Sequence, residues 1–367
     1  MSNFKASTTS VLVPTISCHA WNADRSRVAV CPNDSNIYIY KTNNSEDFQK
    51  WEVEHQLTEH DHLVTAIDWA PKTNRILSCS QDRNAYVWTY DNNDKKWVPE
   101  LVLLRINRAA TCCKWSPKEN KFAVGSGAKL IGVCVYEDEN KWWVSKMIKK
   151  PIKSTVLSVK WHPTDNSLLL CGSSDFKCRL FSAFIKKADE GKEVNKFGTC
   201  IAEYNAKGWV HDVEFSPSGN VVAYIGHDST VTFVDRANGD KTTVVTIPEL
   251  PLRTGIFLSE NAFVAGGYDY TPLAFSNNGG EWKLNGKCDL APQEKAATGG
   301  NVRSMFMKFQ QVSTVTATTR HHNVINSILP YKSSGNNVTV FSTSALDGKV
   351  LTWQVSDLEK GLEGFKV

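Results

Sequence analysis

What this sequence lacks narrows the field first. No apolar run approaches the roughly 18–20 residues needed to cross a bilayer. The opening stretch, Met1 to Ser10, has no apolar core of the kind that directs secretion. Neither sign of charge is in real excess: 42 Lys and Arg against 38 Asp and Glu leave +4 over 367 residues. That bias is too weak to point to nucleic acid or an anionic membrane as the main partner. There is no Cys-x-x-Cys, and the nine His are not grouped at zinc-ligand spacing. Nor is there a Gly-x-Ser-x-Gly elbow or a glycine-rich phosphate loop. The expectation is a soluble, cytoplasmic chain with no metal, no cofactor and no catalytic site. The ten Cys, mostly in apolar runs such as Ile76–Ser80, are expected to be reduced, buried thiols.

What is present is a repeat. With 41% hydrophobic and 22% charged residues the chain has the means for a sizeable core. The pattern Val64-Thr-Ala-Ile67-Asp-Trp69-Ala-Pro71 returns around Trp115, Trp161 and Phe215, in each case two residues before a Pro. Looser copies surround Trp21, Phe257 and Leu329. A second landmark keeps step: Asp34, Asp82, Asp175, Asp228 and Asp269 lie 12 to 14 residues after the aromatics, and an apolar or aromatic residue follows six later. Asp347 and Trp353 repeat that interval, whereas the third copy has Gly125-Ser-Gly127 instead of the Asp. Tyr40 to Trp353 spans six intervals of about 52 residues, hence seven units.

Each unit reads as four short strands. Val64–Trp69 alternates apolar and polar, the period of a half-buried strand. Pro71 then stops it, because proline has no N–H for the ladder. Ile76–Ser80 leads into the Asp turn, Ala85 to Trp88 leaves it, and a run near Trp97 offers an outer strand. Seven such units predict an all-β, seven-bladed β-propeller of WD-repeat type, one domain over residues 1–367. In WD blades a turn Asp bonds a His that is also held by a hydroxyl and a strand aromatic. His60, Ser80, Asp82 and Trp88 can supply that set in blade 2; His321, Asp347 and Trp353 offer it in blade 7. The same framework explains His60 and Asp82 better than a catalytic pair does. No convincing fourth strand follows Trp353, so the run Ser10 to Val13 is expected to complete the last blade and close the ring.

Several strings carry a resemblance. They include Ile16-Ser-Cys-His-Ala-Trp21, Asp82-Arg-Asn-Ala-Tyr-Val-Trp88, Arg105-Ile-Asn-Arg-Ala-Ala110, Asp175-Phe-Lys-Cys-Arg179, Gly208-Trp-Val-His211 and His227-Asp-Ser-Thr230. Together they resemble the family of WD-repeat subunits of the actin-related protein 2/3 complex. The resemblance implies a non-catalytic subunit of an assembly that nucleates branched actin filaments, in the cytoplasmic actin cytoskeleton. Its implied partners are the other subunits, the actin filament and acidic segments of nucleation-promoting factors, with no nucleic acid and no membrane insertion. A generic WD-repeat adaptor of a ubiquitin ligase or chromatin assembly is the alternative.

Two candidate surfaces follow. Phe275 to Ile325 spans 50 residues where other units spend 18 to 29, which marks an insertion around 290–320 between blades 6 and 7. Within it Val302, Met305, Phe306 and Phe309 hold i, i+3, i+4, i+7 spacing, and Asn301 is placed to cap a short helix. It either folds back on the ring or docks in a partner's groove; the resemblance implies contact with actin through Arg303, Met305, Phe306 and Phe309. The second surface is basic: Arg105, Arg108, Lys146, Lys149, Lys150, Lys153, Lys177 and Arg179 fall in or near loops of blades 3 and 4. A solvated face is the plain reading, and a dock for acidic segments the functional one.

Overall fold

The computed structural model describes residues 11–191, 194–289 and 319–367. Within them the chain forms seven antiparallel sheets in simple meander order, six of four strands and one of three. The innermost strands are Cys18–Trp21, Val64–Trp69, Ala110–Trp115, Val156–Trp161, Val210–Phe215, Leu252–Ser259 and Ile325–Ser334. Neighbouring inner strands pack on one another, including the first on the last, so the ring is closed around a channel.

Blade 2 shows why the local sequence folds this way. Its strands are Val64–Trp69, Ile76–Ser80, Ala85–Asp91 and Lys96–Val102. The second is buried throughout because blades cover both of its faces, which is why it reads as a short apolar run rather than an alternation. The inner strand alternates because one edge of its pleat looks into the channel. Its Trp69 indole N–H closes the hairpin on Asn74 Oδ1 at 2.8 Å.

The core is divided into seven wedges, one between each pair of adjacent blades. Leu77, Val87 and Val102 of blade 2, for example, meet Trp115, Phe122 and Trp143 of blade 3. The wedge between blades 7 and 1 joins Tyr331, Val340 and Val350 to Ile16, Trp21 and Val30, with Trp21 and Tyr331 rings 4.8 Å apart. No blade owns a core, so each is stable only between two others.

A belt of hydrogen bonds around the channel adds direction to this packing. Ser17 Oγ donates to the Val64 carbonyl (3.3 Å), Thr65 Oγ1 to Ala110 (2.9 Å) and Thr111 Oγ1 to Val156 (2.6 Å). Each is the second position of one blade's inner segment reaching the first strand residue of the next. From blade 4 onward the device changes: Ser158 Oγ donates to Asp212 (2.6 Å), which also accepts the Gly255 N–H at 3.1 Å. Asn326 Nδ2 returns to the Ile16 carbonyl at 2.9 Å, linking blade 7 to blade 1. Lys114–Asp68 (2.6 Å) and Lys160–Glu214 ion pairs brace the lower part of the same inner strands.

Blade 7 has three strands among the described residues. Of the expected closing run, Ser10 lies outside them, and Val11 to Val13 form no strand. The Leu12 N–H bonds the Gly348 carbonyl at 2.8 Å, just before the third strand begins, and the Leu12 and Val13 side chains pack against the wedge between blades 7 and 1. The stretch after Trp353, read from sequence as helix-like or loose, is a seven-residue helix, α1 (Val355–Gly361). Val355, Leu358 and Phe365 sink into the wedge between blades 6 and 7 beside Phe341, Trp353 and Cys288.

Candidate partner-binding face

The connections that join one blade to the next, and the turns between second and third strands, gather at one end of the ring, the upper end. Backbone bonds tie the two kinds of loop together there, such as Gly127 N–H to Ala109, Ser174 N–H to Thr155 and His227 N–H to Trp209. The basic residues sort themselves by this geometry. Arg105 and Arg108 lie on the connection into blade 3, and Lys149, Lys150 and Lys153 on the connection into blade 4. All five are exposed, and none is in an ion pair among the described residues. The two connections converge on Gly127: a Cβ added there would stand 3.3 Å from Arg108 Cβ and 3.9 Å from Thr155 Oγ1.

Three of the basic residues are elsewhere. Arg179 is 1% exposed and is no part of a surface patch. Its Nη1 holds Asp175 at 2.9 Å and Ser173 Oγ at 3.2 Å, and its Nε holds Glu203 at 2.8 Å. The strand pleat turns residue 179 inward, and the guanidinium serves the turn Asp of a blade whose entering loop, residues 149–155, has no His. The hydrogen bond and charge of Arg179 keep the Glu203 carboxyl below its ordinary range. Lys177 is half-buried beside Asn205 and Glu203 (3.4 Å to the latter), and Lys146 lies over the Phe197 ring on an outer strand.

The predicted blade networks form, with one change of residue. His60 Nδ1 meets Asp82 Oδ2 at 2.7 Å, but its Nε2 meets Ser78 Oγ at 2.9 Å, and the Trp88 indole donates to that same hydroxyl at 2.9 Å. Ser80, the expected partner, donates to the His62 carbonyl instead. The ring nitrogens face opposite ways, so with Nδ1 on the turn Asp the other must reach one pleat repeat further along the strand. Blade 7 repeats the arrangement with His321, Asp347, Thr343 and Trp353: Nε2 to Thr343 Oγ1 is 2.7 Å, and Trp353 donates there at 2.8 Å. Burial pushes His60 below its ordinary pKa despite Asp82 beside it. Burial opposes ionisation of Asp347, yet hydrogen bonds from His321 and two backbone N–H groups hold its carboxyl low. Every polar atom of these sets is committed to strand and loop.

A third network was not anticipated. His19 of blade 1 reaches across the seam to Ser344 Oγ (2.8 Å) and Ser342 Oγ (2.9 Å) of blade 7, and Trp21 donates to Ser342 at 2.8 Å. It uses the same residue types as blade 2, but His and hydroxyls are more than 320 positions apart, and no local spacing could pair them.

Comparison with known proteins places this geometry. The family model described as "WD domain, G-beta repeat" matches residues 51–89, 146–182 and 198–235. Actin-related protein 2/3 complex subunit 1A-A of Xenopus laevis is 44% identical, covering 97% of this chain and 98% of its own. Subunit 1A of Arabidopsis thaliana is 43% identical over 95% and 96%, and subunit 1 of Schizosaccharomyces pombe 39% over 91% and 95%. The chain belongs to the actin-related protein 2/3 complex subunit 1 family. In this member of the subunit 1 family, the predicted actin-contacting residues Arg303, Met305, Phe306 and Phe309 lie outside the described residues. The segment's flanks are pinned together at the upper end, where the Arg320 N–H donates to Asp289 at 2.6 Å and its guanidinium covers the Trp353 ring at 4.4 Å. That end of the subunit 1 ring also carries an aromatic group that went unnoticed as such: Trp209, 49% exposed, stacks on His227, which bonds His211 at 2.8 Å.

Proposed function

We propose that this chain is a non-catalytic interaction subunit of an actin-related protein 2/3 complex, which supports nucleation of branched actin filaments in the cytoplasm. The observation that carries the reading is similarity to named subunits along nearly the whole chain, blades and connections alike. A ring whose cores lie only between blades is a rigid frame, and rigid frames act through the loops they display. On the upper end, five exposed cations, with no ion pair among the described residues, offer bidentate Arg and point-charge Lys contacts to carboxylates. They fit an acidic segment of a nucleation-promoting factor. The spacing of Val302, Met305, Phe306 and Phe309 fits a short amphipathic helix that presents Arg303 and the two phenylalanines to actin.

Native purification of the tagged chain tests the assignment: the actin-related proteins and smaller subunits should accompany it in fixed stoichiometry, and their absence would end it. For the basic surface, Lys149→Glu with Lys150→Glu should weaken binding of an acidic activator segment by tenfold or so, with affinity falling as salt rises. Binding that ignores both changes would reject that site. Phe306→Ala with Phe309→Ala should leave the assembly intact while slowing branching; unchanged branching would remove these residues from filament contact.

A further inference from the structure

Blade 1 holds two cysteines at directly opposed positions of adjacent strands. Cys18, on Cys18–Trp21, pairs with Cys31, on Arg27–Cys31. Opposed residues of an antiparallel pair keep their Cα atoms about 4.5–5.5 Å apart, inside the range of about 4.4–6.8 Å that a disulfide spans. Their side chains share the wedge between blades 1 and 2, where each thiol shifts the ionisation of the other. Both are free thiols in this structure.

The two are not equivalent. Cys18 lies on the wall of a cavity of about 610 Å³ that forms the upper mouth of the channel, beside Ser17, His19 and Val64. Cys31 is fully buried behind it. The Cys31 thiol, the Ser17 hydroxyl and the Ile67 N–H hydrogen-bond Cys18 and, with the charge of Lys114, lower its pKa against the effect of burial. Burial and the neighbouring Cys18 raise Cys31. Cys18 is therefore the more readily ionised thiol and belongs to a residue that lines the channel mouth, while Cys31 stands behind it. The other close thiol pair, Cys79 and Cys113, belongs to different blades, and Cys113 Sγ is turned toward the Leu77 carbonyl at 3.9 Å.

We propose that Cys18 and Cys31 are a reversible oxidation site, a cross-strand dithiol that closes to a disulfide when a small peroxide enters the channel. The Cys18 thiolate attacks one peroxide oxygen, the O–O bond breaks, and the departing hydroxide takes a proton to become water, leaving a sulfenic acid. The Cys31 sulfur then attacks Cys18 sulfur, the S–O bond breaks and a second water leaves. Two thiols give up two electrons and two protons, and hydrogen peroxide is reduced to two waters. The closed pair would tie the first two strands of the blade that carries the seam to blade 7.

The experiment treats the folded protein with hydrogen peroxide in native buffer, at doses raised until the more exposed Cys200 is oxidised. Free thiols are then alkylated, the protein is digested without reductant, and the peptides are weighed. The expected product is a Cys18–Cys31 linked peptide, lighter by two hydrogens than its two thiol peptides together and released by dithiothreitol. Cys31→Ser should instead stall at a Cys18 sulfenic acid that dimedone captures, while Cys18→Ser should leave Cys31 unmodified. No linked peptide once Cys200 is oxidised would overturn the proposal. So would a link that forms only in urea, or one joining Cys79 to Cys113 in preference.

Discussion

The seam between blades 7 and 1 makes a quantitative prediction about acid. Burial, with the charges of Lys114 and His321, holds His19 neutral and lowers its pKa from 6.5 to about 3. In the unfolded chain the same imidazole takes a proton near its ordinary value. Its contribution to stability is therefore complete above that ordinary value and is lost as pH falls toward 3, because only the unfolded state gains the proton. At about 1.4 kcal/mol per pH unit, lowering pH from 7 to 5 costs about 2 kcal/mol through this residue alone. His19→Gln keeps an uncharged side chain able to bond one of the two serines but removes the titration. Urea unfolding of both proteins at pH 7, 6 and 5 should show the variant weaker at pH 7, by about 1–2 kcal/mol for one lost buried bond. The gap should close as the pH approaches 5. His60 and His211, whose pKa values burial also lowers, titrate in both proteins and cancel in the comparison. A gap that stays constant with pH would refute the reasoning, since it would mean that His19 is not the group that protonates on unfolding.

The remaining predictions concern groups whose partners are named above. Ser78→Ala strips the hydroxyl from both His60 and Trp88 and should cost about 2–4 kcal/mol in unfolding free energy, whereas Ser80→Ala should cost about 1 kcal/mol; equal losses would contradict the pairing. Arg179→Met leaves the buried Asp175 without its cation, and a loss of about 3–5 kcal/mol is expected by chemical denaturation. Phe365→Ala empties a fully buried place between blades 6 and 7, and should cost about 3–5 kcal/mol; a change under 1 kcal/mol would mean that the tail only rests on the ring.

Much of the ring was legible because its landmarks are local. Trp69, Pro71, Asp82 and Trp88 lie within 20 residues, and the strands they bracket, Ile76–Ser80 among them, form as read. The basic surface was legible only in composition. Sequence places Lys153 and Arg179 in the same neighbourhood, but pleat direction decides that one is exposed and the other spends its charge on Asp175 and Glu203. The hydroxyl in blade 2 was missed by one pleat repeat, a distance that no periodicity argument resolves when both Ser78 and Ser80 point the same way. The His19 network escaped altogether, since it exists only once the ring has closed.

The belt of hydroxyls around the channel has a mechanical meaning. Thr65 and Thr111 each donate a hydrogen bond to a carbonyl of the following blade, in the same rotational sense. A tug on any single blade is thus transmitted sideways as tension in its successors rather than as a local hinge. Two molecules gripping distant rims would find their separation held nearly constant, as by the spokes of a tensioned wheel.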